Sequence, residues 1–335
     1  MTTLVTLATK DCIVMGCDSL GSTSKKLVDP LELVNFFDEK QGFQLKKDQQ
    51  DNYVLQSFGD IYKKAKDIPF AHMPHMSKLF DFKPLEMAIM LTGISAIGNR
   101  TLKSLIEEFK STDEIFYKKA KQRNYSVNTI ASKFTDFISD FYDKEFKNEK
   151  PSLEFLLCGF DKRKALPRVF RIQFPDKRIT PENEEGEFGI FLGGQMKEIQ
   201  RLIFGTDYFN KYKIWLRHFE VLREYRIKCN DYLKMNKVKV EIPELKEEEI
   251  TKYDMFTGNW DLSGFITNWS NFSEQNAIEC VSFFVNVMIK SQQFNEGMPT
   301  VGGNVHIALI SKSKGVRYIS KEQYEHEGHI VSKIN

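Results

Sequence analysis

The first nineteen residues contain two apolar runs of strand length that are separated by a short polar break. The first run is Thr2–Ala8, the second is Cys12–Ser19, and the polar break contains Lys10 and Asp11. Runs of this kind predict two consecutive β-strands. No positively charged segment followed by an apolar stretch precedes them, so the pattern is not that of a secretory signal. We therefore expect the fold to begin with the first residues of the chain.

The composition is that of a globular protein with a substantial core. Of the 335 residues, 41% are hydrophobic and 13% are aromatic, which is ample for a large buried interior. The 48 basic and 46 acidic residues nearly cancel, so we predict neither a nucleic-acid partner nor a membrane partner. No window approaches the roughly 18 uninterrupted apolar residues of a membrane span. The five cysteines form no CxxC pair and mostly lie in apolar runs, which predicts a reduced, cytoplasmic protein.

Strand-like and helix-like patterns follow one another in blocks along the chain. The predicted elements are a hairpin over 77–93, helices over 99–110 and 126–146, a hairpin over 153–172, a strand over 189–194, helices over 195–204 and from 274 onward, and strands over 304–310 and 315–319. This order predicts an α+β protein. Gly21–Ser24 is predicted to be a turn. Two stretches with weak periodicity, at about 28–76 and 205–271, are predicted to be insertions in a single domain that spans 1–335.

The second residue of the chain is a potential catalytic nucleophile. Removal of Met1 would leave Thr2 with a nucleophilic hydroxyl and a free amine on the same residue. The reference pKa of such an amine is about 7.7 to 8.0, so an appreciable fraction is neutral near neutral pH and can accept the hydroxyl proton. One residue would then combine nucleophile and base, which is a compact arrangement for acyl transfer.

The beginning of the chain resembles that of the proteasome-type N-terminal-nucleophile (Ntn) hydrolases. In that family Thr-Thr opens a strand and an Ala/Gly-x-Asp-Ser step closes the next one, and Thr2, Asp18 and Ser19 occupy the matching places. The stretch Leu157–Arg163 is similar to a hairpin of proteasome β subunits. The resemblance implies a four-layer αββα sandwich, in which two antiparallel sheets lie between helical layers. The sequence resembles the stand-alone bacterial relatives of the proteasome more than it resembles a subunit of the core particle.

The resemblance also implies further catalytic residues. Lys78 matches the active-site lysine that opens a strand, and Gly93 matches the glycine whose N–H group helps to form the oxyanion hole. Asp18 would compensate the charge of Lys78 and hold it in place. The catalytic set is therefore predicted to be Thr2, Asp18, Lys78 and Gly93. Other lysines stay open as candidates for the same role, namely Lys25, Lys26, Lys63 and Lys64.

The sequence departs from the family pattern at two places. Active relatives carry an Asp and a Ser shortly before a Gly-Gly step, whereas Gly302–Gly303 is preceded by neither residue at the matching positions. They also carry a Ser where this chain has Gly193–Gln195. Thr300 could supply the hydroxyl and Glu296 the carboxylate, although neither is a residue-by-residue match. The two departures leave more than one function open.

The favoured function is a proteasome-like threonine hydrolase that cleaves a peptide or other amide bond through an acyl-threonine intermediate and works in a homo-oligomer. The alternative is a catalytically inactive family member that serves as a binding or assembly subunit. A third possibility is transfer of the acyl group to an amine instead of water. No cofactor or metal is expected, because the pairs His72/His75 and His326/His329 lack the spacing of a helical HExxH motif.

Overall fold

The structure is a computed structural model of the chain. It describes residues 2–27, 37–38, 42–43, 49–50, 66–112, 125–147, 150–161, 166–183, 187–204, 208–243, 268–295, 297–321, 324–326 and 329–332.

Strands and helices follow one another in these ranges. The strands are β1 (Thr3–Ala8), β2 (Cys12–Asp18), β3 (Gly21–Leu27), β4 (Phe37–Asp38), β5 (Gly42–Phe43), β6 (Lys66–Met73), β7 (Leu79–Asp81), β8 (Met87–Gly93), β9 (Ala96–Ile97), β10 (Arg100–Thr101), β11 (Leu153–Phe160), β12 (Pro167–Phe174), β13 (Arg178–Pro181), β14 (Gly189–Gly194), β15 (Val305–Ser311), β16 (Gly315–Ser320), β17 (Tyr324–His326) and β18 (His329–Ser332). The helices are α1 (Leu102–Thr112), α2 (Val127–Glu145), α3 (Lys197–Phe204), α4 (Tyr208–Met235) and α5 (Glu274–Gln292), with a short 3-10 helix at Trp269–Asn271.

Two five-stranded antiparallel sheets form the centre of the protein. Sheet A has the strand order β14-β1-β2-β15-β16, and sheet B has the order β13-β12-β11-β8-β7. The predicted N-terminal hairpin lies in the middle of sheet A, with Leu4 opposite Cys17 and Ala8 opposite Ile13. The remaining pairs, β3 with β6, β4 with β5, β9 with β10 and β17 with β18, form two-stranded sheets. Antiparallel sheets together with helices confirm the predicted α+β class.

Three apolar clusters define how the sheets and helices pack. The first lies between the sheets and brings Leu4 and Met15 of sheet A together with Leu156 of sheet B. The second includes Val281 of α5 and covers the other face of sheet A. The third includes Phe134 of α2 and covers the other face of sheet B. The sheets therefore face each other, and alternate residues along each strand point to the partner sheet or to the helices.

Elements with a clear apolar period were predicted with small shifts in their bounds. The helix predicted over 126–146 is α2, and Ser126 caps it by accepting a hydrogen bond from the backbone N–H of Thr129. The predicted turn at Gly21–Ser24 is wrong, because these residues begin β3, which pairs with β6. The serine, threonine and lysine side chains of β3 give no apolar alternation, and its pairing depends on backbone hydrogen bonds that periodicity does not report.

The two predicted insertions are described only in part. Most of 28–76 lies outside the described residues, whereas β6 belongs to its end. The second insertion, 205–271, contains α4, where the Asn230 side chain exchanges hydrogen bonds with the backbone of Ile242. A single domain with two insertions stays a prediction. None of the helices in the described ranges is both long enough and apolar enough to cross a membrane.

Candidate active site

Thr2 precedes β1 directly and is almost completely buried. Because side chains alternate along a strand, Thr2 faces the same way as Leu4, toward sheet B. Its carbonyl oxygen accepts a hydrogen bond from the Gln195 backbone N–H at 2.7 Å. The next hydroxyl, Thr3 Oγ1, donates to the Gln195 carbonyl oxygen at 2.8 Å. The loop between β14 and α3 therefore fixes the start of β1.

Asp18 ends β2 and is a fully buried carboxylate. Its Oδ1 accepts a hydrogen bond from the Thr3 backbone N–H at 3.0 Å. Its Oδ2 accepts from the backbone N–H groups of Leu20 at 3.2 Å and Gly302 at 3.1 Å. A buried charge is costly unless it is paired and hydrogen-bonded. These three N–H donors, from three separate parts of the chain, supply the hydrogen bonds to the Asp18 carboxylate. A buried cation supplies the opposite charge.

That cation is Lys78, which immediately precedes β7 in sheet B and is also buried. Lys78 Nζ lies 3.1 Å from each of the two Asp18 carboxylate oxygens. It also donates to the Leu20 carbonyl oxygen at 2.6 Å. Lys78 and Asp18 therefore form a buried ion pair that links sheet B to sheet A, and this pair fixes the ammonium group close to the start of the chain.

A cavity of about 460 Å³ is lined by Thr2, Lys78 and Gly93 together. Its apolar walls are formed by Met73, Met76, Phe80, Leu91, Ile94 and Leu102. Ser95 and Lys103 are exposed residues that also line it. Of the four residues predicted to be catalytic, three thus meet at one cavity, and the fourth, Asp18, holds the lysine.

Gly93 ends β8 in a backbone conformation that favours glycine. Its φ angle is 111°, and an added Cβ would lie 2.3 Å from the Ser152 carbonyl oxygen, so a larger residue would be strained. Two residues earlier, the Leu91 N–H donates to the Lys78 carbonyl oxygen at 3.0 Å. This pairing brings Gly93 and Lys78 to the same end of sheet B.

The two departures from the family pattern lie side by side. Thr300 Oγ1 donates a hydrogen bond to Gln195 Oε1 at 2.9 Å, and Thr300 is 9% exposed. Glu296, the other residue considered as a substitute, lies outside the described residues. The sequence analysis named Gln195 only as part of one departure and gave it no role. The signal that was available is its position directly after Gly194, at the place where relatives carry a Ser.

His306 is a further buried polar residue near the site that sequence reasoning did not select. It stands opposite Cys17 in sheet A and is 1% exposed, and neither ring nitrogen has a hydrogen-bond partner among the described residues. Burial is the main cause that lowers the pKa of His306 from 6.5 to about 4. The positive charges of Lys78, Lys321 and His75 lower it further. The ring is therefore neutral at neutral pH.

The side chains of the four competing lysines lie outside the described residues. Lys25 and Lys26 lie in β3, and their side chains are outside the described part, as are all atoms of Lys63 and Lys64.

Throughout the described ranges, no cluster of three or more His, Cys, Asp or Glu residues is placed to hold a metal ion.

Replacing Gly194 by alanine is expected to disturb the start of the chain. Gly194 has a φ angle of 66°, and an added Cβ would lie 2.0 Å from the Thr2 carbonyl oxygen. We expect the free energy of unfolding to fall by about 1 to 3 kcal/mol, because both backbone strain and a steric overlap are introduced. Urea unfolding measures this loss. Gly189→Ala, in the same strand, is the matched control, since its Cβ would meet only Phe191 Cζ at 3.8 Å. Equal losses in both variants would contradict the prediction.

Comparisons with known proteins give structural likeness only. No protein-family model matches the chain, and no curated protein matches its sequence. One similar solved structure is the Anbu (Gly-1) mutant from Hyphomicrobium sp. strain MC1, with a TM-score of 0.46 and 10% identity, covering 96% of this chain and 87% of that one. Another is Anbu (ancestral beta-subunit) from Yersinia bercovieri, with a TM-score of 0.43 and 10% identity, covering 96% and 88%.

Proposed function

We propose that this chain is a proteasome-like threonine hydrolase that cleaves a peptide or other amide bond after removal of Met1. The observation that carries the proposal is the buried ion pair between Lys78 Nζ and Asp18, at 3.1 Å, beside the cavity that Thr2 and Lys78 both line. A buried lysine facing a cavity next to a potential nucleophile is an arrangement that favours the deprotonated hydroxyl.

The proposed reaction begins with acylation of Thr2. Thr2 Oγ1 forms a bond to the substrate carbonyl carbon while its proton passes to the Thr2 amine, and the carbonyl oxygen becomes an oxyanion. The N–H group of Gly93 stabilises this oxyanion, a contribution that is typically about 2.7 to 4 kcal/mol. The C–N bond then breaks, and the proton moves from the Thr2 amine to the leaving nitrogen. The product of this step is an ester on Thr2.

Hydrolysis of the ester completes the cycle. Water attacks the ester carbonyl carbon while the Thr2 amine accepts a proton from the water. The bond between that carbon and Thr2 Oγ1 breaks, and the amine returns the proton to Oγ1. The carboxylic acid leaves and the amine is ready for the next cycle. Lys78 takes no part in these proton transfers, and Asp18 keeps it in place.

The cavity suits an apolar group on the acyl side of the scissile bond. Phe80, Leu91 and Leu102 are buried residues in its wall, and apolar walls with a few polar groups are typical of sites for small organic groups. A cavity of about 460 Å³ is large enough for one amino-acid side chain together with neighbouring backbone. We therefore include peptides with a large apolar residue among the proposed substrates.

The proposal extends to the architecture and the setting of the protein. The facing sheets with helices on their outer sides support the four-layer αββα arrangement of Ntn hydrolases. We also propose one domain over 1–335 with insertions at about 28–76 and 205–271, a cytoplasmic homo-oligomer, and no nucleic-acid, membrane, metal or cofactor requirement.

Covalent labelling at Thr2 tests this function. Protein made without an N-terminal tag is analysed by intact mass and then treated with a peptide β-lactone, which acylates activated hydroxyls. We expect Met1 to be absent and a single adduct to map to Thr2. Thr2→Ala should lose the adduct completely, whereas Thr101→Ala, at an exposed threonine that lines the same cavity, should keep it.

Other results of the same experiment favour the alternatives. Retained Met1 together with no adduct would overturn the hydrolase and favour the binding or assembly subunit. An adduct that is released faster by an added amine than by water, with a new amide product, would favour acyl transfer over hydrolysis.

A further inference from the structure

Two loops meet beside Thr2, and each of them holds a different part of the proposed catalytic group. The first loop joins β14 to α3 and contains Gln195. Its backbone N–H donates to the Thr2 carbonyl oxygen at 2.7 Å, and its carbonyl oxygen accepts from Thr3 Oγ1 at 2.8 Å. This loop therefore positions the nucleophile.

The second loop precedes β15 and positions the ion pair. The Gly302 N–H donates to Asp18 Oδ2 at 3.1 Å, and the Gly302 carbonyl oxygen accepts from the Ser19 N–H at 3.2 Å. The Asn304 N–H donates to Ser19 Oγ at 2.7 Å. These bonds attach the second loop to the end of β2, where Asp18 and Ser19 lie.

One hydrogen bond between side chains joins the two loops. Thr300 Oγ1 donates to Gln195 Oε1 at 2.9 Å. Thr300 is also held from α5, because Gln292 Oε1 lies 3.4 Å from both its backbone nitrogen and its hydroxyl. Thr300 is 9% exposed and Gln195 is half-buried, so the bond between them is partly shielded from water.

We propose that Gln195 and Thr300 are positioning residues that, together with the direct bond from the Thr3 N–H to Asp18 Oδ1, fix Thr2 relative to the Asp18–Lys78 pair. This inference rests on the proposed threonine hydrolase and assigns residues to it at the places where the sequence departs from the family pattern. The bridge is electrically neutral, so it joins the loops without adding a charge to the loop that contacts Thr2. Accurate placement matters, because a misplacement of about 1 Å can cost roughly 100-fold in rate.

Substitutions of Thr300 test the placement. Thr300→Val keeps the volume and removes the hydroxyl, and we expect the rate of Thr2 acylation by the β-lactone to fall roughly 10- to 100-fold while its apparent KM changes less than about threefold. Thr300→Ser restores the hydroxyl and should recover a rate within about threefold of that of the original protein. A Thr300→Val rate equal to the original would overturn the proposal.

A charge at Gln195 tests the neutral character of the bridge. Gln195→Glu keeps an oxygen that can accept from Thr300 but adds a carboxylate. A nearby negative charge favours the protonated amine. The acid limb of the pH–rate profile for acylation should therefore shift to higher pH by about one unit. Gln200→Glu adds the same charge further along α3 and should leave the limb in place. An unmoved limb in Gln195→Glu would overturn the assignment of Gln195 as a positioning residue for Thr2.

Hydrogen–deuterium exchange separates failure of this inference from failure of the proposed function. If the original protein is not acylated at all, the hydrolase proposal fails, but the bridge can still be judged by amide protection in peptides that cover 3–8 and 195–204. Thr300→Val should raise exchange in both peptides, and Thr300→Ser should not. Unchanged exchange in Thr300→Val would overturn the bridge whether or not Thr2 reacts.

Discussion

Replacing Lys78 by methionine is expected to lower the free energy of unfolding by about 3 to 5 kcal/mol and to abolish acylation of Thr2. Methionine fills a similar volume but leaves the fully buried Asp18 carboxylate without its cation. The loss is large because an uncompensated buried charge remains, and not because the ion pair itself adds much net stability. Urea unfolding and the β-lactone adduct measure the two effects.

Two further variants separate the structural effect of Lys78 from its chemical effect. Lys103→Met removes an exposed lysine that lines the same cavity and should change stability by no more than about 0.5 kcal/mol. The double variant Lys78→Met/Asp18→Asn removes both charges and should regain part of the lost stability while staying inactive. A double variant that is less stable than Lys78→Met would contradict this explanation. A fall of less than about 1 kcal/mol in the free energy of unfolding of Lys78→Met would also contradict it.

Acidification is expected to destabilise the protein through His306. The pKa of its ring is lowered from 6.5 to about 4 in the folded state, so between these values the unfolded chain binds a proton that the folded chain does not. The contribution of His306 to the free energy of unfolding is therefore fully present above about pH 6.5 and is lost as the pH falls toward 4. The difference corresponds to roughly 3 kcal/mol between pH 7 and pH 4.

A comparison of variants isolates this effect from the titration of carboxylates. The fall in the free energy of unfolding between pH 7 and pH 4 should be smaller in His306→Gln than in the original protein by roughly 3 kcal/mol. His75→Gln, at an exposed histidine that lines the cavity, should reduce the fall far less than His306→Gln, because the charge of His75 is only a minor cause of the lowered pKa of His306. Identical falls in all three proteins would show that His306 is not the group responsible.

The sequence was sufficient to predict the elements that bury a repeating apolar face. The hairpin of β1 and β2, four of the five strands of sheet B and the capped helices α2 and α5 all carry local patterns that depend on burial. β3 was missed because its side chains are mostly polar, and the short strand β13 because only four residues contribute to it. Patterns of burial cannot report strands that are held mainly by backbone hydrogen bonds.

Placement of the candidate site residues depended on a different kind of information. Lys78 and Gly93 were selected through resemblance, because a lysine before a strand and a glycine after one have no chemical signature of their own. The bonds from Gly302 to Asp18 and from Thr300 to Gln195 join residues that are 284 and 105 positions apart. No local periodicity encodes such contacts, and only the arrangement of strands in sheet A brings them together.

The position of β1 and β2 in the centre of sheet A also governs when the proposed active site can be assembled. Their outer neighbours, β14 and β15, are synthesised much later, and Gly302, which donates to Asp18, belongs to the segment just before β15. A nascent chain that ends before Gly302 therefore lacks one of the donors that hold the Asp18 carboxylate. The proposed hydrolase would be inactive in such a chain until β14, β15 and the segment around Gly302 had joined sheet A.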